Sequence, residues 1–296
     1  MKKFFWLLVL CSVNMFSQGC SDAGFCSVGN TFLVAKQEYK NTIETGLGFA
    51  AGEEDVTILS SYVTYMRQVN SRLALSMKLT FASADGELGN NANLGDIYLT
   101  GNYALASKAE NQKWSLLFGV KAPLTNANDK VDNRPAPMVY QSSLGTVDLI
   151  SGVEFQYAKW LFNAAIQLPV ANGNDNAFFP TTPENEAFVP TNKFRRAPDA
   201  LLRGGYQLTW NKFRFRPNML LLYHLGEDSF ESISGERLDI DGSSGITLNG
   251  NLITQYQLNS RSSLELSLAA PFVVRDERPD GLTRALTAGL SYTISF

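Results

Sequence analysis

The chain holds almost no histidine, little cysteine and no long apolar run past its first few residues. Of its 296 residues, one is histidine and three are cysteine. The lone histidine, His224, lies between Tyr223 and Leu225, with no serine paired to it by sequence. Catalysis by a nucleophile needs a base and an orienting group held beside it, so the sequence reads as non-enzymatic, with no catalytic residue. Cys20 and Cys26 have no histidine near them, which leaves no metal site and implies no cofactor. Beyond the N-terminal segment no stretch approaches the ~18 apolar residues of a transmembrane helix. Basic and acidic residues number 25 and 28, for a net charge of −3, without a basic block or acidic tail. That balance argues against nucleic acid as a partner.

What is present begins with an export signal. Lys2 and Lys3 precede the apolar run from Phe4 to Leu10, and small polar residues follow by Ser17. This is the layout of a secretory signal peptide over residues 1–18. Cys11 leaves with it, and residues 19–37 form a periplasmic N-terminal segment carrying Cys20 and Cys26. In an exported chain a Cys20–Cys26 disulfide is the default expectation; lipidation of Cys20 is the alternative. The segment is read either as a plug for a lumen or as a leader.

Residues 38–296 are expected to form an all-β, transmembrane antiparallel barrel. From Thr283 to Phe296, Leu286, Ala288, Leu290, Tyr292, Ile294 and Phe296 alternate with small polar residues up to a terminal aromatic, as in the closing strand of an outer-membrane barrel. Period-two reading gives about twelve strands, starting near Glu38, Val56, Arg72, Gly95, Lys113, Ser143, Trp160, Asp199, Phe213, Ser243, Arg261 and Thr283. Tight connections at Asn70, Lys108–Gln112, Ala158, Asn211 and Leu258–Ser260 alternate with longer polar ones at Asp85–Leu94, Leu124–Ser142, Ala171–Pro198, Glu227–Gly242 and Arg275–Leu282. Short periplasmic turns and long extracellular loops are the barrel pattern, and the location implied is the bacterial outer membrane, with its lipid as partner.

Hairpin parity then assigns faces. A turn at Ala158 and Lys159 sets Tyr157 against Trp160, Phe155 against Phe162 and Leu149 against Leu168 on one face, and Glu154 against Asn163 on the other. The turn at Asn211 directs Trp210, Phe213, Leu208 and Phe215 outward, and Thr209, Arg214, Gln207 and Arg216 inward. The same parity turns Lys78, Asp96, Lys121, Asp148, Arg203, His224 and Glu265 inward, since a charge facing mid-bilayer lipid costs ~2 to 4 kcal/mol. The segment from Val56 to Val69 has no clear parity. Trp114, Tyr157, Trp160, Trp210, Phe213 and Tyr256 cluster near the short turns as an interfacial girdle.

Three stretches resemble one family. Leu94–Leu105 (LGDIYLTGNYAL), Trp114–Pro123 (WSLLFGVKAP) and Tyr140–Val153 (YQSSLGTVDLISGV) together resemble the outer-membrane family named for the meta-pathway of phenol degradation, related to FadL-type transporters. Ala122, Pro123 and Leu124 depart from its usual Pro-Thr-Gly turn. The resemblance implies a channel or transporter for small hydrophobic molecules. Candidate substrate contacts are Lys78, Asp96, Asp148, Arg203, Arg216 and His224 in the lumen, and Phe178, Phe179 and Phe188 in the longest loop, read as an exposed apolar surface that captures a ligand over the mouth or docks a surface protein, or as a loop that packs on itself. Pro217 interrupts a strand opposite Tyr206, beside Gly204 and Gly205, where a lateral opening or a simple bulge is expected. A non-transporting barrel subunit with a protein partner is the other reading.

Overall fold

The computed structural model describes residues 39–51, 54–107, 109, 111–279 and 286–296; the signal-peptide, Cys20 and Cys26 expectations fall outside them. The barrel strands are β1 (Asn41–Ala51), β2 (Thr57–Gln68), β3 (Leu73–Gly86), β4 (Gly89–Ala104), β5 (Gln112–Pro123) and β6 (Thr146–Tyr157). They continue as β7 (Trp160–Asn172), β8 (Asp199–Tyr206, resuming as Leu208–Trp210), β9 (Phe213–His224), β10 (Gly245–Gln257), β11 (Ser262–Val273) and β12 (Thr287–Ser295). Every neighbour pairs antiparallel, and β1 pairs with β12, so the sheet closes. The result is a closed 12-strand antiparallel barrel. Closure leaves no sheet edge, which a strand-built protein in lipid requires.

The hairpin registers follow from the turns. Tyr157 opposes Trp160, Phe155 opposes Phe162 and Glu154 opposes Asn163, while Trp210 opposes Phe213 and Thr209 opposes Arg214. Ala158 and Asn211 take positive φ, 52° and 52°, the left-handed geometry that two-residue hairpins need. On β2, Tyr62 turns inward and its hydroxyl donates to Glu44 Oε1 at 2.5 Å. An inward tyrosine alternating with outward Ser61 and Val63 explains why polarity alone gives this strand no face.

The expected loop from Asp85 to Leu94 is instead strand. Gly86 pairs with Gly89 across a tight turn at Glu87 and Leu88, made possible by φ of +115° at Gly89. The polarity that suggested a loop has another cause: Asn91 and Asn93 project above the barrel, each donating to Asp129 at 3.2 and 3.0 Å. Lower down, a bulge between Leu79 and Phe81 lets the Thr80 hydroxyl accept from Asp96 N–H at 2.8 Å and donate to Asp96 O at 3.1 Å. Only glycine fits beside it, because a Cβ on Gly95 would lie 2.5 Å from Thr80 Oγ1 and 2.8 Å from Ser142 O.

An aromatic belt rings the short-turn end. Trp114 stacks on Phe155 at 4.3 Å, Trp160 packs edge-on to Tyr206 at 4.8 Å, and Phe213 meets Tyr256 at 4.8 Å. At the opposite end the long loops fuse into a roof. Ala127, Met138, Leu144, Phe194 and Ile240, drawn from three loops, form one buried cluster, and Tyr140 joins a second with Val56, Ala84 and Val139.

Candidate functional site

The interior is filled unevenly. On the side of β4 to β9, Tyr98, Leu117, Ile150, Leu201, Leu220 and Leu222 point inward as one buried apolar cluster. Polar layers lie above and below it. Above, Lys121, fully buried, pairs with Asp148 at 2.9 Å and Asp96 at 3.9 Å, and Gln167 donates to Asp148 at 2.5 Å. Below, Arg216 bonds Glu265 at 2.5 Å, and Asn163 donates to Glu154 at 3.1 Å. Lys121, Asp148, Arg216 and Glu265 are thus satisfied by one another.

The other side is lined by small residues. Gly48, Ser60, Ala82, Ala84, Ser267 and Gly289, from β1, β2, β3, β11 and β12, face a lumen cavity of about 290 Å³ that Lys78, Asp96, Arg203 and Glu265 also line. Lys78 Nζ sits 3.9 Å from the centroid of the Tyr62 ring, a cation–π contact. Val139 to Ser143 close the cavity from above. That strap is stitched down by Asn91 to Tyr140 O at 2.8 Å, Ser142 to Leu94 O at 2.7 Å and Ser143 to Asp96 at 2.5 Å.

Lys78, Asp96 and Arg203 thus line one space, and Arg216 reaches its edge through Glu265. Asp148 lies in the packed polar layer, and His224 lies higher still. Its Nδ1 meets Asp199 at 2.6 Å and its Nε2 meets Asp228 at 2.8 Å, while Arg196 bonds Asp199 at 2.6 Å. With both ring nitrogens on carboxylates, His224 has no nitrogen left to activate a hydroxyl; Ser243 Oγ instead accepts from Asp228 N–H at 2.8 Å. The cluster ties the loop after β9 to the barrel rim.

For Phe178 the expected exposure is corrected. Phe178 is 1% exposed and stacks edge-on to Phe188 at 6.3 Å, while Phe179 meets Phe230 at 6.4 Å. Phe178 packs within its own loop and Phe179 against the next one, because burying apolar area gains about 25 cal/mol per Å². An asparagine ladder shapes the segment: Asn176 N–H donates to Asn174 Oδ1 and Phe178 N–H to Asn176 Oδ1, both at 3.0 Å. The Asn-x-Asn-x-Asn spacing from Asn172 was the available sign of it.

At Pro217 the β8–β9 ladder breaks. Gly205 pairs with Asn218 and Leu208 with Phe215, but Tyr206 and Pro217 between them do not pair; Gln207 N–H bonds Lys159 O at 2.8 Å instead. Outside lies an apolar groove of about 490 Å³ lined by Trp160, Tyr206, Pro217, Met219, Leu252 and Phe272. Asn218, Asn251 and Ala269 line both this groove and the lumen cavity. These shared residues separate the groove from the cavity.

The fold is that of outer-membrane β-barrel proteins. A crystal structure of an outer-membrane channel from Pseudomonas putida F1 superposes with a TM-score of 0.59 at 14% identity, covering 89% of this chain and 100% of that one. The KdgM porin bound to disordered oligogalacturonate gives 0.47 at 7% identity, over 86% and 99%. The NanC porin gives 0.48 at 10%, over 86% and 98%. No protein-family model matches the sequence, and no curated protein matches it.

Proposed function

We propose that the protein is an outer-membrane channel that passes small, predominantly hydrophobic molecules through the off-centre lumen cavity. The observation that carries this reading is the cavity itself: small inward residues on β1 to β3, β11 and β12 leave open a space that larger side chains fill on the opposite wall. The shared architecture with the Pseudomonas putida channel supports it, as does the resemblance to the phenol meta-pathway family. The groove at Gly204, Gly205 and Pro217 supports a sideways exit for hydrophobic cargo into the membrane.

Conductance of the refolded mature protein in planar bilayers tests the reading, alongside organic extraction of the purified barrel. Steady current or a bound lipophilic molecule is expected. Verified insertion with neither would end the channel reading.

The fused roof favours a second reading, a non-transporting barrel subunit that presents its loops to a protein partner. Ile233, at the tip of the Ser229–Asp239 hairpin, is 90% exposed. A stoichiometric partner after mild solubilisation would support it, and a lone monomer would remove it.

A further inference from the structure

The charges around the lumen cavity are not equally engaged. Arg216 is held by Glu265, Lys121 by Asp148 and Asp96, and Lys78 lies over Tyr62. The two carboxylates lining the cavity are also taken: Asp96 accepts from Ser143, and Glu265 from Arg216. Arg203 differs. It reaches the cavity from β8, and among the described residues it makes no hydrogen bond and no ion pair; its buried Nε has no partner. Glu154 attracts it from a distance while Arg216 repels it, and Glu154 already accepts from Asn163.

A confined guanidinium without an acceptor is held at a cost. Its planar fork matches a carboxylate, which can satisfy two N–H groups at once. The rest of the cavity is fitted to something apolar. Ile58, Ala82, Ala84, Val139 and Ile253 line it, and about 290 Å³ exceeds the ~150 Å³ that encloses a benzene ring. The free volume is too small for a long chain or an oligosaccharide.

We propose that the cavity takes small organic monoanions, a single ring or short chain bearing one carboxylate, and that Arg203 holds the carboxylate. The inference rests on the channel reading and narrows its cargo from hydrophobic molecules in general to amphipathic ones with one anionic end.

The test compares benzoate with its neutral isostere benzamide and with benzylammonium, by ligand-observed NMR on the full-length barrel in zwitterionic detergent. Benzoate is expected to bind on the order of tenfold more tightly than benzamide, and benzylammonium not at all. Arg203→Gln should bring the benzoate-to-benzamide ratio to about one, and Arg203→Lys should retain part of it. Heat-modifiable gel migration confirms that both variants are folded. Equal binding of benzoate and benzamide by the native protein would overturn the inference, as would an unchanged ratio in folded Arg203→Gln. Bilayer conductance separates the two ideas. Current without an anion preference removes the monoanion site and keeps the channel, whereas Arg203-dependent benzoate binding with neither current nor a lipophilic molecule in the organic extract keeps the site and removes the channel.

Discussion

Asp199 and His224 stand directly opposite each other at the rim, the first residue of β8 paired with the last of β9, and their side chains meet at 2.6 Å. Asp228 holds the other ring nitrogen at 2.8 Å, so one imidazole joins two strands to the loop that follows them. His224→Ala leaves two buried carboxylates with Arg196 and Arg275 as their remaining cationic neighbours. A loss of roughly 3 kcal/mol is expected, seen as faster proteolysis between residues 225 and 244 and a lower unfolding temperature.

Lys121 makes a second prediction. Lys121→Met strands Asp96 and Asp148 without their shared cation and should destabilise by roughly 3–5 kcal/mol. Pairing it with Asp148→Leu should recover part of the loss, since an apolar pair of similar volume tolerates burial better than a single charge. The temperature at which the folded gel band disappears measures both.

The belt is tested at Trp160, which packs on Phe162 at 6.2 Å and Tyr206 at 4.8 Å. Trp160→Ala should cost more than Trp160→Phe by about 0.5–1.5 kcal/mol. Equal unfolding midpoints in urea for the two variants would contradict an interfacial role.

The small-residue wall sets the bore. Ser267 lines the cavity beside Gly289, whose added Cβ would lie 2.6 Å from Ser267 Oγ. Ser267→Phe should cut single-channel conductance several-fold, because a ring occupies ~100 Å³ or more of a confined space. Phe272→Ala, on the outer surface, should leave conductance unchanged.

Alkaline pH should loosen the roof. Burial pushes the Tyr140 phenol above its ordinary value, so the folded state keeps the proton longer than the unfolded chain. The stability this contributes is intact below about pH 10 and is lost as pH rises toward the folded value. Proteolysis within residues 124–145 should accelerate above about pH 10 in the native protein. Tyr140→Phe should lack that acceleration.

The sequence carried the wall better than the roof. Strand positions and the pairs Tyr157–Trp160 and Glu154–Asn163 follow from alternation and turn length, because one face must meet lipid and the other must not. The polar run at Asn90–Asn93 misled because a strand projecting past the membrane loses the lipid constraint and looks like a loop. Phe178 misled because its partner Phe188 lies ten residues along the same loop. Phe188 in turn meets Tyr140 of another loop, and no local period encodes either contact. Inward charges were legible one by one, but their pairing was not. Whether Arg216 meets Glu265 or Arg203 depends on barrel curvature, which brings β9 and β11 together across β10.

The uneven filling of the lumen divides labour around the circumference. Strands β4 to β9 pack their inner apolar side chains into one cluster, while β11, β12 and β1 to β3 turn glycine, serine and alanine toward the cavity between their few paired polar groups. Substitutions on that lighter arc alter the width and chemistry of the bore with little disturbance to the half that holds the cylinder in shape. On the proposed channel function, such a barrel changes its cargo by drift at a few inward positions, and an engineer seeking a tunable pore would begin on the same arc.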